Sequence, residues 1–147
     1  GINLAAGDPR REWSLERWRE TVDLLLREMP GSEVWVFVPP GDPRGSLLSG
    51  MCPGLPVRVA APSPDILEAA AVLARMGLLI TPDTAMLHIA DALGIPTVAM
   101  YISPEKAVLW RPSRAAYRGI IAEGGVMEAV EPREVVAAAG SLLWGVE

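Results

Sequence analysis

The segment that most constrains the fold is 78–101, in which a polar corner and a helical stretch separate two apolar runs. The first run reaches Thr81, the corner is Pro82-Asp83-Thr84, and Gly94 precedes the second run. This order is typical of a strand, a tight corner, a helix ended by glycine and a second strand. In open parallel sheets, ligands bind where the carboxyl ends of the strands meet the following helices. The Asp-Thr corner, with the free N–H groups of a helix behind it, therefore suits a phosphate.

The same alternation of apolar runs and helical stretches extends over the whole chain. The predicted strands are 2–6, 34–38, 55–61, 78–81, 95–101 and 119–122, and the predicted helices are 15–29, 64–76, 85–93, 103–110 and 132–144. Ser63 and Pro64 are expected to begin the second helix, as its N-cap and its first helical residue. Strands that alternate with helices are joined by right-handed crossovers. The pattern therefore predicts a three-layer α/β fold with a Rossmann-like parallel sheet of about six strands between helices.

Composition and charge limit the domain organisation and the class of partner. With 147 residues, half of them hydrophobic, the chain is predicted to be a single domain over 1–147 that buries roughly 70% of its unfolded surface. A net charge of −5 without a basic stripe argues against nucleic acid as a partner. No Asp-x-Asp pair or His/Cys cluster has the spacing of metal ligands, so we expect neither a metal nor a cofactor.

The single cysteine and the lengths of the apolar runs bear on the cellular location. Cys52 is the only cysteine, which excludes an internal disulfide and fits a reducing cytoplasm. Every apolar run is shorter than the ~18 residues of a membrane-spanning helix, and the first residues lack the basic-then-apolar pattern of a secretion signal. A cytoplasmic location is therefore expected, and peripheral contact with a membrane stays open.

The polar residues that follow the predicted strands all lie at one edge of the sheet, where a site is expected. Thr84 either caps the following helix or contacts a phosphate, and the two roles are compatible. His88 and Asp91 lie near one helical face, so Asp91 is placed to orient the imidazole ring if His88 lines the site. A purely structural histidine is the alternative. Asp83 either holds the corner through backbone N–H groups or contacts the ligand, and Arg11 either is solvated or pairs with a phosphate.

Residues 83–96 resemble a signature of the heptosyltransferases, glycosyltransferase family 9, which reads Asp-Thr/Ser-Gly-x-x-His-x-Ala-x-Ala-Leu-Gly-x-Pro. Shorter matches occur in the same order over nearly the whole chain. Residues 7–13 are similar to the family's Pro-Gly…Lys-x-Trp segment, with Arg11 at the place of the lysine. Asp42 lies near the place of the family's ribose-binding carboxylate, and Ser103-Pro104 near that of its Thr-x-Pro loop.

The resemblance implies a GT-B architecture, in which two Rossmann-like domains face each other across a cleft. The chain resembles only the C-terminal, donor-binding half of this architecture. The family's proposed catalytic base belongs to the other half, so no catalytic residue is assigned and the isolated chain is expected to transfer no sugar. The implied substrate-binding residues are Arg11, Asp42, Asp83, Thr84, Ala85, Met86, Leu87, His88 and Ser103.

The reaction that the resemblance implies is the inverting transfer of a sugar from an ADP-heptose-like nucleotide-sugar donor. Such transfers build lipopolysaccharide or a related glycan. The acceptor, a glycan or a lipid-linked molecule, is expected to bind through the other half, with the full protein at the inner face of the bacterial inner membrane. In this half, helix N–H groups and Arg11 are expected to stabilise the diphosphate leaving group without a metal.

Four departures from the family pattern leave other functions open. Ala85 replaces a glycine that can approach a pyrophosphate closely or adopt a positive φ, and Arg11 replaces a lysine. Asp42 replaces a glutamate, and Ile102-Ser103 replaces a glycine-rich phosphate loop. One alternative is a non-catalytic GT-B-like binding module, which should ignore nucleotides. The other is half of a nucleotide-sugar epimerase, which needs an acid and a base of its own; the Ala-Leu-Gly-x-Pro continuation favours the transferase.

Overall fold

The computed structural model describes residues 1–145, and within them six parallel strands form one sheet. The strands are β1 (Ile2–Asn3), β2 (Val34–Phe37), β3 (Val57–Val59), β4 (Leu79–Pro82), β5 (Thr97–Tyr101) and β6 (Tyr117–Ile121). Their order across the sheet is β3-β2-β1-β4-β5-β6, and every neighbouring pair is parallel. This strand order is that of the Rossmann fold. The predicted Rossmann-like α/β class is therefore confirmed.

Two layers of helices cover the sheet. The helices are α1 (Leu15–Glu28), α2 (Arg44–Gly50), α3 (Ile66–Leu73), α4 (Ala85–Leu93), α5 (Pro104–Leu109) and α6 (Pro132–Trp144), with 3₁₀ turns at Pro9–Arg11, Glu123–Gly125 and Met127–Ala129. Helices α1, α2 and α6 pack against one face of the sheet, and α3, α4 and α5 pack against the other. Within residues 1–145, none of the helices combines the length and the apolar composition needed to cross a lipid bilayer.

Helix α1 shows how an apolar stripe fixes these layers. Trp18, Val22 and Leu25 recur at the helical period and are buried in the core beneath the helix. Trp18 also meets Trp13 edge-to-face, with the ring centroids 5.1 Å apart. Full burial of each such side chain stabilises the fold by roughly 1.5–3 kcal/mol. Packing of this kind holds the helix ends, and the loops attached to them, in fixed positions beside the strands.

Helix α2 is missing from the predicted elements. Its seven residues include two glycines and two serines, which are weak helix formers, so the local sequence gives little sign of it. Gly45 has a packing role, because a Cβ at this position would lie 2.9 Å from Cγ1 of Val59. The glycine lets α2 lie directly on β3 and bury Leu48 completely. Tertiary packing therefore overrides a low helix propensity.

The start of α3 differs from the prediction. Asp65, rather than Ser63, is the N-cap, and its carboxylate accepts a hydrogen bond from the N–H of Leu67 at 2.8 Å. The Ser63 hydroxyl oxygen accepts the N–H of Asp65 at 3.0 Å, so it forms the turn that precedes the helix. Pro64 consequently lies before the helix, and the helix ends at Leu73 rather than at 76. A carboxylate two residues later takes the capping role predicted for the hydroxyl.

The ends of several strands also differ from the prediction. β1 ends at Asn3 rather than at residue 6, because side chains bond the backbone beyond it: the carbonyl of Ala5 accepts from the Asn3 amide. The N–H of Ala6 donates to the carboxylate of Glu12. β3 is shorter than the predicted 55–61, and β6 begins at Tyr117 rather than at 119.

Candidate functional site

A cavity opens beside the carboxyl end of β1, the strand at which the order of the strands across the sheet reverses. The chain continues from β1 to β2 and β3 on one side and to β4, β5 and β6 on the other, and ligands of open α/β sheets bind at such a switch point. The cavity has a volume of about 380 Å³, and its walls are Asn3, Ala5, 37–40, 60–64, Ile66, Ala69, Val72 and 84–86. Only three of these residues, Asn3, Ser63 and Thr84, have polar side chains. The cavity therefore suits a small and mostly apolar group.

The Asp-Thr corner forms one wall of this cavity. Thr84 is the N-cap of α4, with its Oγ1 accepting the N–H of Met86 at 3.3 Å. Its carbonyl accepts the N–H of Leu87 at 3.1 Å. The N–H of Ala85, an exposed residue at the first helical position, has no carbonyl within the helix to bond. The corner therefore presents a free donor at the positive end of the helix dipole.

The methyl group of Ala85 does not strain the corner. Ala85 begins α4, and no residue other than glycine has a positive φ in the described part of the chain. A glycine at this position would therefore gain nothing from its freedom to adopt a left-handed conformation. The expected conformational obstacle is absent, and what remains is the space that one methyl group occupies.

Asn3 holds the corner against β1, and sequence reasoning missed it. Its amide nitrogen Nδ2 lies 3.0 Å from Oγ1 of Thr81 and 3.0 Å from Oγ1 of Thr84. The residue is 4% exposed. Buried polar side chains are normally hydrogen-bonded, and here one partner, Thr81, precedes the corner and the other, Thr84, ends it. The signal in the sequence was a lone polar residue inside the first apolar run, at the carboxyl end of a strand.

Arg11 lies beside the same corner. Its Nη1 donates a hydrogen bond to the backbone carbonyl of Asp83 at 2.8 Å and lies 4.0 Å from Oδ2 of that residue. The guanidinium comes from the loop after β1, whereas the corner follows β4, so the two meet only through the fold. The structure thus brings together Arg11, Asp83, Thr84, Ala85 and Met86 among the predicted site residues. The Asp83 side chain is largely buried.

Asp42 follows the part of the β2 loop that lines the cavity, and its carboxylate is already engaged. Arg44 donates to it through its backbone N–H at 2.9 Å and through its guanidinium, with Nε 3.0 Å from both carboxylate oxygens. The guanidinium also contacts Oε2 of Glu12 at 2.8 Å. The hydrogen bonds from Arg44 hold the pKa of Asp42 below its usual value. Neither Arg44 nor Glu12 was among the predicted site residues.

Two further candidates are bonded mainly within the protein. Leu87 is completely buried against Ala99 and Tyr101, so only its backbone belongs to the corner. Ser103 is the N-cap of α5, and its hydroxyl oxygen accepts the N–H of Lys106 at 3.3 Å. Ser103 lies at the same edge of the sheet, after β5, but it does not line the cavity.

The expectation that Asp91 orients the ring of His88 is wrong. Asp91 instead accepts backbone N–H groups from the loop before β6, at 3.0 Å from Ser113, 2.7 Å from Arg114 and 2.8 Å from Ala115. Burial opposes the charged form, but these hydrogen bonds lower the pKa of Asp91 to about 2. Helical spacing permitted the contact with His88, and three backbone donors satisfy the carboxylate better.

His88 itself is exposed and lies one turn beyond the corner. Its ring meets that of Trp110 edge-to-face, with the centroids 5.5 Å apart and an interplanar angle of 70°. It does not line the cavity. No group of three or more His, Cys, Asp or Glu side chains is arranged to hold a metal ion among residues 1–145.

Comparisons with known proteins agree on one family. A family model described as glycosyltransferase family 9 (heptosyltransferase) matches residues 1–133. Among solved structures, a glycosyl transferase family 9 protein from Veillonella parvula DSM 2008 has a TM-score of 0.84 and 23% identity, over 99% of this chain and 46% of that one. No curated protein gives a significant sequence match.

Two further solved structures are of the E. coli heptosyltransferase WaaC. The structure with ADP has a TM-score of 0.76 and 24% identity, over 91% of this chain and 41% of that one. The structure with ADP-2-deoxy-2-fluoro heptose has a TM-score of 0.72 and 24% identity, over 91% of this chain and 40% of that one. At such identities the likeness shows the fold. The chain spans less than half the length of each of these three proteins.

Proposed function

We propose that this chain, which belongs to glycosyltransferase family 9, binds the nucleotide-sugar donor of a heptosyltransferase-type reaction. The membership rests on the family match over 1–133. One observation carries the proposal: an apolar cavity and a helix N-terminus with a free N–H meet at a single corner, beside the guanidinium of Arg11. A nucleoside diphosphate has the two matching parts, a base with apolar faces and an anionic diphosphate.

The diphosphate is proposed to lie against the first turn of α4. The helix dipole and the N–H of Ala85 favour an anion at this point. Arg11 has five N–H donors, and its hydrogen bond to the carbonyl of Asp83 uses one of them. That bond fixes the guanidinium at the corner before a ligand arrives, so the cation needs little reordering to pair with a phosphate.

The base is proposed to occupy the cavity between the β2 loop, the β3 loop and α3. Its volume of about 380 Å³ is within the range of small-molecule sites, and its mostly apolar walls remove the faces of a heterocycle from water. Adenine is the proposed base, because WaaC, which shares the fold, binds ADP and an ADP-heptose analogue. The donor is accordingly proposed to be an ADP-heptose-like sugar nucleotide.

The complete reaction is proposed to need a second domain, because the solved relatives are more than twice as long as the chain. In the proposed division, this chain is the C-terminal half of a GT-B enzyme. It holds the donor and stabilises the leaving diphosphate, while the other half binds a glycan or lipid-linked acceptor and supplies the base. We further propose an inverting transfer in lipopolysaccharide or related glycan assembly, in the cytoplasm at the inner membrane. The chain alone should release no nucleotide from a sugar nucleotide.

Calorimetric titration of ADP and of adenosine into the chain tests the donor site. We expect ADP to bind more tightly than adenosine, because only ADP reaches the helix N-terminus and Arg11. The Arg11→Gln variant should weaken ADP binding by about 1.5–3 kcal/mol, as expected for a lost charge-assisted hydrogen bond, and leave adenosine binding nearly unchanged.

The neighbouring Arg10 offers a matched control, because it is 72% exposed and pairs with Asp8 rather than with the corner. Arg10→Gln removes the same charge from the same loop and should change ADP binding by less than about 0.5 kcal/mol. Equal losses in Arg10→Gln and Arg11→Gln mean that only the general charge of the loop matters. Failure of the wild-type chain to bind ADP contradicts the proposed function and favours a binding module that has lost its site.

A further inference from the structure

Two turns at the edge of the sheet have the same four residues, Gly-Asp-Pro-Arg, at 7–10 and at 41–44. The first follows β1 and the second follows β2. Both begin with a glycine of positive φ, 69° in the first turn and 80° in the second. In both, the aspartate accepts the backbone N–H of the arginine two residues later and bonds its guanidinium as well. Because the same hydrogen bonds between aspartate and arginine close both turns in two different surroundings, this closure is a property of the four residues themselves.

In the second turn, three N–H groups of Arg44 occupy most of the acceptor capacity of Asp42. Its Oδ1 accepts from the backbone N–H and from Nε of Arg44, and its Oδ2 accepts from Nε and Nη2. The single Nε–H is shared between the two oxygens, so three hydrogens face the about four lone-pair sites of the ionised carboxylate, and little is left for a ligand. The turn lies beside the cavity, because the N–H of Asp42 donates to the carbonyl of Pro39, a wall residue, at 3.2 Å.

Arg44 is also tied to the opposite loop. Its Nη1 lies 2.8 Å from Oε2 of Glu12, and Oε1 of Glu12 accepts the N–H of Ala6 at 3.3 Å. The side chains of Arg44 and Asp42 are 27% and 11% exposed, which limits competition from water. A ligand hydroxyl that took a place on Asp42 would have to displace a two-pronged, charge-assisted pair in return for a weaker neutral hydrogen bond.

We infer that Arg44 controls how the site recognises the ribose of the nucleotide. Because its guanidinium occupies the carboxylate of Asp42, the site binds nucleotides with and without the ribose 2′-hydroxyl equally well. This inference rests on the proposed function. The acidic residue after the second strand of a dinucleotide-binding sheet normally accepts a ribose hydroxyl, and here that acceptor is engaged before the ligand binds. Among the polar cavity side chains, Asn3 and Thr84 are hydrogen-bonded to each other, and the Ser63 hydroxyl oxygen accepts the N–H of Asp65. Affinity then comes from the base and the diphosphate.

The experiment compares the binding of ADP and of 2′-deoxy-ADP by calorimetry. In the wild-type chain the two dissociation constants should agree within about twofold. Arg44→Ala releases the Asp42 carboxylate, so this variant should prefer ADP by about tenfold or more, the size of one hydrogen bond to a charged group. Adding Asp42→Asn to that variant should remove most of the preference. Arg10→Ala removes the corresponding guanidinium from the first turn, 7–10, which does not line the cavity. It should leave the ratio of the two dissociation constants near one.

A wild-type preference for ADP of tenfold or more overturns the inference, because the ribose then displaces Arg44 from Asp42. A ratio that stays near one in Arg44→Ala also overturns it, because Asp42 then does not reach the ribose even when free. Thermal unfolding of each variant confirms that it is folded, and Arg44→Lys, which keeps the charge but loses the two-pronged geometry, should give an intermediate ratio. If neither nucleotide binds the wild-type chain, the proposed function itself fails.

Discussion

Replacement of Asn3 by alanine is expected to loosen the corner on which the site is built. The Asn3 amide lies 3.0 Å from Oγ1 of both Thr81 and Thr84 and 3.2 Å from the carbonyl of Ala5. The amide has two N–H groups to share among these three acceptors, and each bond contributes about 1 kcal/mol net; truncation at a residue that is 4% exposed also leaves acceptors without their donor. The free energy of unfolding should therefore fall by about 2–4 kcal/mol.

Urea denaturation followed by tryptophan fluorescence measures this loss. With a slope of about 1–3 kcal/mol per M, the midpoint should fall by roughly 1 M or more. Ser63→Ala is the matched control, because Ser63 also lines the cavity but accepts one hydrogen bond at the exposed surface. It should cost less than about 0.5 kcal/mol. Equal midpoints for the wild type, Asn3→Ala and Ser63→Ala would refute the role given to Asn3.

Two other predictions concern the ends of helices. Asp91→Asn should lower the free energy of unfolding by about 1–3 kcal/mol at pH 7. The native pKa of Asp91, about 2, lies below its usual 3.8, so its contribution is complete above about pH 4 and is lost as the pH falls through 2. The urea midpoints of the wild type and of Asp91→Asn should therefore converge as the pH falls from about 4 to about 2. A difference that stays constant with pH would mean that the lost free energy of unfolding comes from packing. Gly94→Ala should cost about 1 kcal/mol, because Gly94 caps α4 with a φ of 72°. Gly50→Ala is the control, because Gly50 lies in α2 with open space around it, and this substitution should stabilise the chain by up to about 1 kcal/mol. Equal effects of the two substitutions on thermal unfolding would contradict the role given to the positive φ of Gly94.

The sheet and the corner could be predicted because their signals are local. Apolar runs that alternate with capped helical stretches indicate parallel strands whichever neighbours they pair with. Thr84 caps α4 and Gly94 ends it, as the sequence indicated. The position of Arg11 beside the corner followed from the rule that all carboxyl ends of parallel strands lie at one edge.

The features that escaped prediction depend on contacts between distant residues. Helix α2 forms because Gly45 allows close packing on β3, which no local propensity indicates. Asn3 became important only through two threonines about eighty positions away. Asp91 had a plausible partner one turn away along its helix and bonded the loop before β6 instead. Spacing along a helix defines which contacts are permitted, and competing donors elsewhere in the fold decide which are made.

The most direct test of the donor site is a crystal structure of this chain with ADP. We expect the adenine ring in the cavity between the β2 loop and α3, and the diphosphate within about 3.2 Å of the N–H of Ala85 and of the Arg11 guanidinium. A diphosphate bound at another edge of the sheet, or an empty corner in a chain that binds ADP in solution, would contradict the proposed donor site.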